Sequence, residues 1–278
     1  MSELDYVSAI LLGAIQGLTE FLPISSSGHL ALIQRWLDLD PDSTPMLLFD
    51  VLAHLGTLVA VGVVFAEQAR RFVHRLVRES SRSWSGKRYA WRIALLAVAA
   101  TVPTAVIGLA FQETFESAFD RPMWIGVCLI TTGALLAVLA KLGRGQRGWK
   151  DFRWWQALLV GIAQGFAILP GISRSGATIC VASYCGLRRR WAAEFSFLIV
   201  VPAIAGGTLL KVKDTLNLPA EQLAAVAWGP LVVGSILSLT VGVFALKLLL
   251  GAVRRAKLHY FALYCWVLGA VVLLGTWD

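Results

Sequence analysis

Six apolar runs, near residues 47–66, 89–111, 121–141, 191–211, 227–250 and 258–276, are each about as long as a helix must be to cross the ~30 Å hydrocarbon core of a bilayer. No water satisfies backbone N–H and C=O groups inside that core, so continuous apolar runs of this length are read as helices. With 57% hydrophobic and 15% charged residues over 278 positions, the composition excludes a soluble globular surface, a disordered chain and a disulfide scaffold. The expected fold is an all-α integral membrane domain covering residues 1–278.

Two further apolar stretches, 4–22 and 154–169, are interrupted. Each stops at a Leu-Pro pair, passes a Ser/Gly-rich segment and resumes as a second short apolar piece. The first lacks a basic n-region and a small-residue cleavage site and carries Glu3 and Asp5, so it is expected to be mature protein rather than a signal peptide.

Basic residues set the sides. Residues 67–92 hold eight (Arg70, Arg71, Arg75, Arg78, Arg82, Lys87, Arg88, Arg92) and residues 141–153 hold five, which places both loops in the cytoplasm. Arg188, Arg189, Arg190, Lys247, Arg254, Arg255 and Lys257 fall on the same side, whereas Asp38, Asp40, Asp42, Glu113, Glu116 and Asp120 fall opposite. The net charge of +8 is therefore a topology signal, and no nucleic-acid partner is expected. Because basic loops flank 154–169 on both sides, that stretch must enter and leave from the cytoplasm. The same parity makes residues 1–40 a hairpin entering and leaving from the outer side, with both chain termini outside and the site opening outward.

The two interrupted stretches also resemble each other. Gln16-Gly17, Ile24-Ser25 and Ser27-Gly28 recur 148 residues later as Gln164-Gly165, Ile172-Ser173 and Ser175-Gly176, and each copy is followed by three spans. An odd number of spans inverts the second half, so the expected architecture is six transmembrane helices plus two re-entrant helical hairpins, arranged as inverted repeats of about 1–145 and 146–278. The site should lie where the hairpin tips meet.

The tips carry the chemistry. In the first, Gln16 and Glu20 share a helix face, Pro23 stops the helix, and Ser25, Ser26 or Ser27 can cap the next one ahead of Gly28 and His29. In the second, Gly171, Ser173, Ser175, Gly176 and Thr178 repeat that cap chemistry around Arg174, whose guanidinium can grip phosphate through two parallel hydrogen bonds. Ionisable groups at this depth cost roughly 3 kcal/mol on insertion scales. A structural alternative is an ion pair of Glu20 with Arg174 and a His29 that merely satisfies a backbone carbonyl. Convergence of a carboxylate, an imidazole, three hydroxyls and an arginine favours phosphoryl transfer instead, in which a nucleophile, a base and oxyanion donors must coincide.

Gln-Gly-Leu-Thr-Glu-Phe-Leu-Pro-Ile-Ser-Ser-Ser-Gly-His at 16–29 and Pro-Gly-Ile-Ser-Arg-Ser-Gly-Ala-Thr at 170–178 resemble the bacterial undecaprenyl-pyrophosphate phosphatases of the bacitracin-resistance type. The likeness extends to Phe49-Asp50-Val51 and Ala192–Leu198. It implies a plasma-membrane enzyme that removes the terminal phosphate of an isoprenoid diphosphate lipid, with Glu20, Ser26, His29 and Arg174 at the reaction centre and Ser25, Ser27, Gly28, Gly171, Ser173, Ser175, Gly176 and Thr178 around the substrate. Within that centre Ser26 is expected as the nucleophile, with His29 or Glu20 accepting its proton and His29 as the competing nucleophile. It also implies a divalent cation, Mg2+ ahead of Ca2+, held by Glu20 with Gln16. Gln16 stands where the family's pattern permits Glu or Gln, so it adds no negative charge. Oligomeric state, a homodimer included, stays open.

The rival function is a polyprenyl-phosphate translocase on the same inverted repeat, but Glu20 and His29 have Ile168 and Ala177 as repeat counterparts, and that one-sided endowment favours an enzyme. Asp50 and His54 are expected either to line the chamber or to form a local pair, Glu194 to pair with Arg190, and tryptophans such as Trp84, Trp91, Trp149, Trp154, Trp155 and Trp277 to anchor at the interfaces. Cys128, Cys180, Cys185 and Cys265 have no C-x-x-C spacing, so neither a disulfide nor a zinc site is expected. The orientation has a direct test: in a background without native cysteines, a cysteine placed near Asp40 should react with an impermeant thiol reagent in intact cells and one near Gln146 should not. The reverse labelling pattern would overturn it.

Overall fold

A computed structural model describes residues 4–80, 89–141, 145–216, 226–255 and 257–275. Among them run α1 (Tyr6–Phe21), α2 (Ser26–Trp36), α3 (Thr44–Ser80), α4 (Tyr89–Ala110), α5 (Gln112–Phe119), α6 (Pro122–Lys141), α7 (Trp154–Phe166), α8 (Arg174–Tyr184), α9 (Arg189–Leu216), α10 (Trp228–Arg254) and α11 (His259–Leu274). Five of these, α3, α4, α6, α9 and α10, are long and apolar enough to cross a membrane. The expected sixth, 258–276, is the 16-residue α11, apolar but shorter.

Caps decide where the interrupted stretches break. The Asp5 side chain accepts the Ser8 N–H at 2.8 Å to start α1, and α1 ends just ahead of Pro23, which has no N–H to continue it. Ser25 Oγ accepts the Gly28 N–H at 3.3 Å to start α2, and Ser173 Oγ accepts the Gly176 N–H at 3.1 Å to start α8. Of the three candidate serines, Ser25 is thus the cap. The two turns need left-handed backbone, at Ser25 (φ 70°) and at Gly171 (φ 97°), and only the glycine adopts it freely.

Two departures from expectation have local causes. The segment 67–80, expected as loop, continues α3 because Glu67 accepts from Arg71 at 2.9 Å and pairs with Arg70 at 3.5 Å on the same helix face. The short α5 seals itself with a Gln112 to Glu116 hydrogen bond of 2.8 Å while burying Phe115 and Ala118. Trp149 is a correction. It is buried rather than at an interface, packed edge-on against Trp191 and Phe195, whereas Trp91, Trp154 and Trp155 are exposed as expected. Glu3, Arg82, Trp84, Lys87, Arg88, Arg144 and Trp277 lie outside the described residues.

The second hairpin, α7–α8, starts and finishes on one face: Arg147 donates its N–H to Gly186 O at 3.0 Å and accepts one from Arg188 at 3.1 Å. Arg92 reaches the carbonyls of Lys150 and Phe152 at 2.6 and 2.8 Å, and Arg189 reaches that of Leu139 at 3.2 Å. These bonds gather the basic ends of α4, α6, α7 and α9 into one surface. For the first hairpin, Leu4 and Leu39 share one apolar cluster with Met46 and Phe49, so α1 and α2 likewise begin and end together.

Small residues let the hairpins sink between long helices. Gly13 and Gly17 of α1 lie against Gly234 and Ser238 of α10, and Gly161 and Gly165 of α7 lie against Ala100 and Ile107 of α4. Each pair is a G-x-x-x-G spacing, which permits close backbone approach where lipid supplies no hydrophobic drive to pack helices. A Cβ at Gly13 would strike the Gly234 carbonyl, whereas one at Gly62 meets nothing within 4 Å. Gly13→Val should therefore cost about 1–3 kcal/mol and lower the thermal midpoint of the detergent-solubilised protein. Gly62→Ala should leave it within error.

Candidate active site

Ser25 Oγ ties the two hairpin tips together. Besides capping its own helix, it accepts the Gly171 N–H of the other tip at 3.0 Å. From the opposite direction Ser175 Oγ donates to Leu22 O at 3.4 Å, and Thr132 of α6 clamps the second tip by donating to Gly171 O at 2.9 Å and accepting from Ser173 N at 3.0 Å. Ser25, Ser173, Ser175 and Thr178 are buried by these bonds and by contacts within the tips, so they shape the site from behind. Thr178 spends its hydroxyl on Arg174 O and Ser196 Oγ. Ser26 and Ser27 are only half-buried.

Glu20 sits at the centre. Its side chain is 1% exposed and ion-paired to Arg174, so the charge is kept at depth by a partner from the other tip. One carboxylate oxygen accepts from Arg174, and the other accepts from Ser26 Oγ at 2.6 Å and from Gln16 Nε2 at 3.1 Å. The Ser26 bond is short because its acceptor is ionised, and it points the hydroxyl proton at a carboxylate. The expected structural alternative is therefore present in both its parts, since Glu20 pairs with Arg174 and His29 Nδ1 bonds the Ser25 carbonyl at 2.6 Å. The Ser26 hydrogen bond goes beyond it.

Of the two groups expected to accept the Ser26 proton, Glu20 and His29, only Glu20 is bonded to Ser26 among the described contacts. The His29 Nδ1–H donates to Ser25 O at 2.6 Å, its Nε2 accepts from Tyr264 OH at 2.8 Å, and its ring stacks on Tyr264 with centroids 5.7 Å apart. Among the described contacts it touches neither Ser26 nor Glu20. The imidazole that does approach the carboxylate is His54 of α3. Its Nδ1–H is held by Asp50 O at 2.7 Å, leaving Nε2 4.0 Å from Glu20. The sequence signal was the i, i+4 spacing of Asp50 and His54 in an apolar run, but the partner is the Asp50 carbonyl. The Asp50 carboxylate instead binds Lys211 of α9 at 3.3 Å. Glu194 pairs with Arg190 at 2.9 Å, outside the site. The four cysteines are free thiols.

For a metal, the donors are sparse. Among the described residues no group of three or more His, Cys, Asp and Glu side chains converges. Gln16 Oε1 is a buried acceptor that no hydrogen bond satisfies, one helical turn from Glu20. One carboxylate plus one amide oxygen suits Mg2+, which usually takes one or two protein oxygens and completes its shell with substrate phosphate and water.

The comparisons with known proteins agree with one another. The family model described as Bacitracin resistance protein BacA matches residues 9–271. An undecaprenyl-diphosphatase of Alkaliphilus metalliredigens is 40% identical over 271 residues, 96% of this chain and 97% of that one. Those of Carboxydothermus hydrogenoformans (41% over 266 residues, 96% and 95%) and Halorhodospira halophila (39% over 281 residues, 97% and 97%) are similar to it throughout.

Proposed function

The chain belongs to the bacitracin resistance protein BacA family, and from that premise we propose how its residues carry out the family's hydrolysis. It is a multi-pass membrane undecaprenyl-diphosphatase: it hydrolyses undecaprenyl diphosphate to undecaprenyl phosphate and inorganic phosphate, which recycles the carrier lipid of peptidoglycan synthesis and underlies bacitracin resistance. The observation that carries the residue assignment is the Ser26 hydroxyl bonded at 2.6 Å to a carboxylate that also holds Arg174.

In this reading Glu20 takes the Ser26 proton as Oγ bonds to the terminal phosphorus. The bridging P–O bond breaks, and its electron pair leaves on the lipid monophosphate. Arg174 and the tip amides hold the charge on the transferred phosphoryl oxygens. Glu20 passes that proton to the departing lipid monophosphate, then takes one from water as its oxygen attacks the phosphoserine phosphorus, and returns it to Ser26 Oγ as the P–Oγ bond breaks and inorganic phosphate leaves. His29, tied to Ser25 and Tyr264, fixes the cap turn that presents Ser26. Glu20 and Gln16 would hold the divalent cation, whose chemistry is to neutralise diphosphate charge.

The finer architecture belongs to the same proposal. The α1–α2 and α7–α8 hairpins are re-entrant and related by inversion, a reading supported by reciprocal contacts across 148 residues. A Cβ on Gly28 would lie 2.8 Å from Gly171 N, and one on Gly176 would lie 3.4 Å from Pro23 Cβ. The basic face is cytoplasmic, the termini are outside and the site opens outward, which the charge distribution supports.

Ser26→Ala and Arg174→Lys should each lower phosphate release from undecaprenyl diphosphate by at least about a hundredfold in solubilised protein with an unchanged thermal midpoint. A trapped phosphoenzyme should survive acid quench as a serine ester. Near-normal turnover of Ser26→Ala, or an acid-labile adduct on His29, would make His29 the nucleophile. Chelation should suppress turnover, and full activity after exhaustive chelation with no bound metal would reject the cation.

A further inference from the structure

On the basic face, Gly145 and Gln146 after α6, Arg188, Arg189 and Arg190 ahead of and within the first turn of α9, and Val253 and Arg254 at the end of α10 enclose a cleft of about 380 Å3. That volume lies in the ~300–1,000 Å3 range of small-molecule sites. Four of the seven lining residues are arginines and none is acidic. We propose that this cleft binds the phosphate of an anionic membrane lipid headgroup, separately from the diphosphate at the hairpin tips.

Three observations carry the assignment. The walls are fixed rather than loose: the paired backbones of Arg147 with Gly186 and Arg188, at 3.0 and 3.1 Å, join two of the three contributing segments, and Arg188 Nε donates to Gln146 O at 3.2 Å. Two of the guanidiniums, those of Arg188 and Arg254, are largely unspent among the described residues. Arg190 binds Glu194 at 2.9 Å, but Arg188 uses a single nitrogen on a carbonyl, and Arg254, which is exposed, makes no ion pair or hydrogen bond among the described residues. Positive-inside topology would be served by arginines splayed into water, and several of these are instead turned around one concavity. An anion bound there gains forked contacts that lysine could not give.

The position selects a lipid over a soluble anion. The cleft lies where α6, α9 and α10 all end or begin, the depth at which headgroups sit, and basic pockets between helices at this level are the usual seats of anionic headgroups. Leu250, half-buried one helical turn before Arg254 on the same face of α10, continues that surface toward the apolar middle of the helix, where an acyl chain would run. The 11 residues of α8 separate the cleft from Arg174 by about 16 Å, so the two phosphate sites do not overlap.

Native mass spectrometry of the detergent-solubilised full chain would measure adducts with dioleoyl-phosphatidylglycerol, dioleoyl-phosphatidylcholine and inorganic phosphate. The native protein should retain phosphatidylglycerol at least about tenfold more tightly than Arg188→Gln/Arg254→Gln, with Arg188→Lys/Arg254→Lys in between, and should show no such preference for phosphatidylcholine. Turnover of undecaprenyl diphosphate by both variants, expected unchanged, certifies the fold. An equal loss in Arg75→Gln/Arg78→Gln, which removes the same charge from α3, would overturn the proposal in favour of diffuse attraction, and so would undiminished binding by the Gln variant. Displacement of phosphatidylglycerol by millimolar inorganic phosphate would overturn the lipid assignment and make the cleft a site for free phosphate.

Discussion

A carboxylate that is 1% exposed in a membrane protein survives as an anion only if something opposite in charge reaches it, and for Glu20 that is Arg174 from the other half of the chain. Much of the structure can be understood as the support of this pair. Gln16 and Ser26 both donate to the carboxylate oxygen that Arg174 leaves. Ser25 Oγ, bonded to Gly171 N, keeps the tips in register, and Thr132 pins the second tip from α6. The G-x-x-x-G faces of α1 and α7 bring both hairpins deep between α10 and α4, so the tips can meet at all.

What could be read from the sequence follows the strength of the physical constraint. Apolar runs of bilayer length had to become helices, and the Leu-Pro breaks with hydroxyls after them had to become caps, so the helices and tips were legible to within a few residues. The length of α3 was less so, because the 67–80 segment is polar and its helicity rests on Glu67 pairing along one face. Trp149 looked like an interface anchor because aromatic enrichment near span ends carries no sign of whether the ring turns outward or toward Phe195.

The candidate site was legible as a set of residues and less so as a set of contacts. Gln16, Glu20, Ser26 and Arg174 share hydrogen bonds, which spacing within each tip could suggest but only the docking of the two tips could arrange. His29 and His54 show the limit. Both lie in apolar helices, and the backbone carbonyl each one bonds settles where its ring points, with His29 directed to Tyr264 and His54 to Glu20. The repeat also hides a division of labour. Ser26 and Arg174 occupy equivalent positions 148 residues apart, so one ancestral-looking slot supplies a hydroxyl in one copy and a guanidinium in the other.

The separation of Glu20 from Arg174, 154 positions along the chain, bears on biogenesis. The first hairpin leaves the ribosome long before its counter-charge exists. During that interval its carboxylate must be protonated, solvated or held at the membrane surface, so the ionised, paired carboxylate described above can form only after the second hairpin has been made. The charge of the amino-terminal half is completed only by the carboxy-terminal half, and a truncated chain is left with an acid that has no counter-charge in reach.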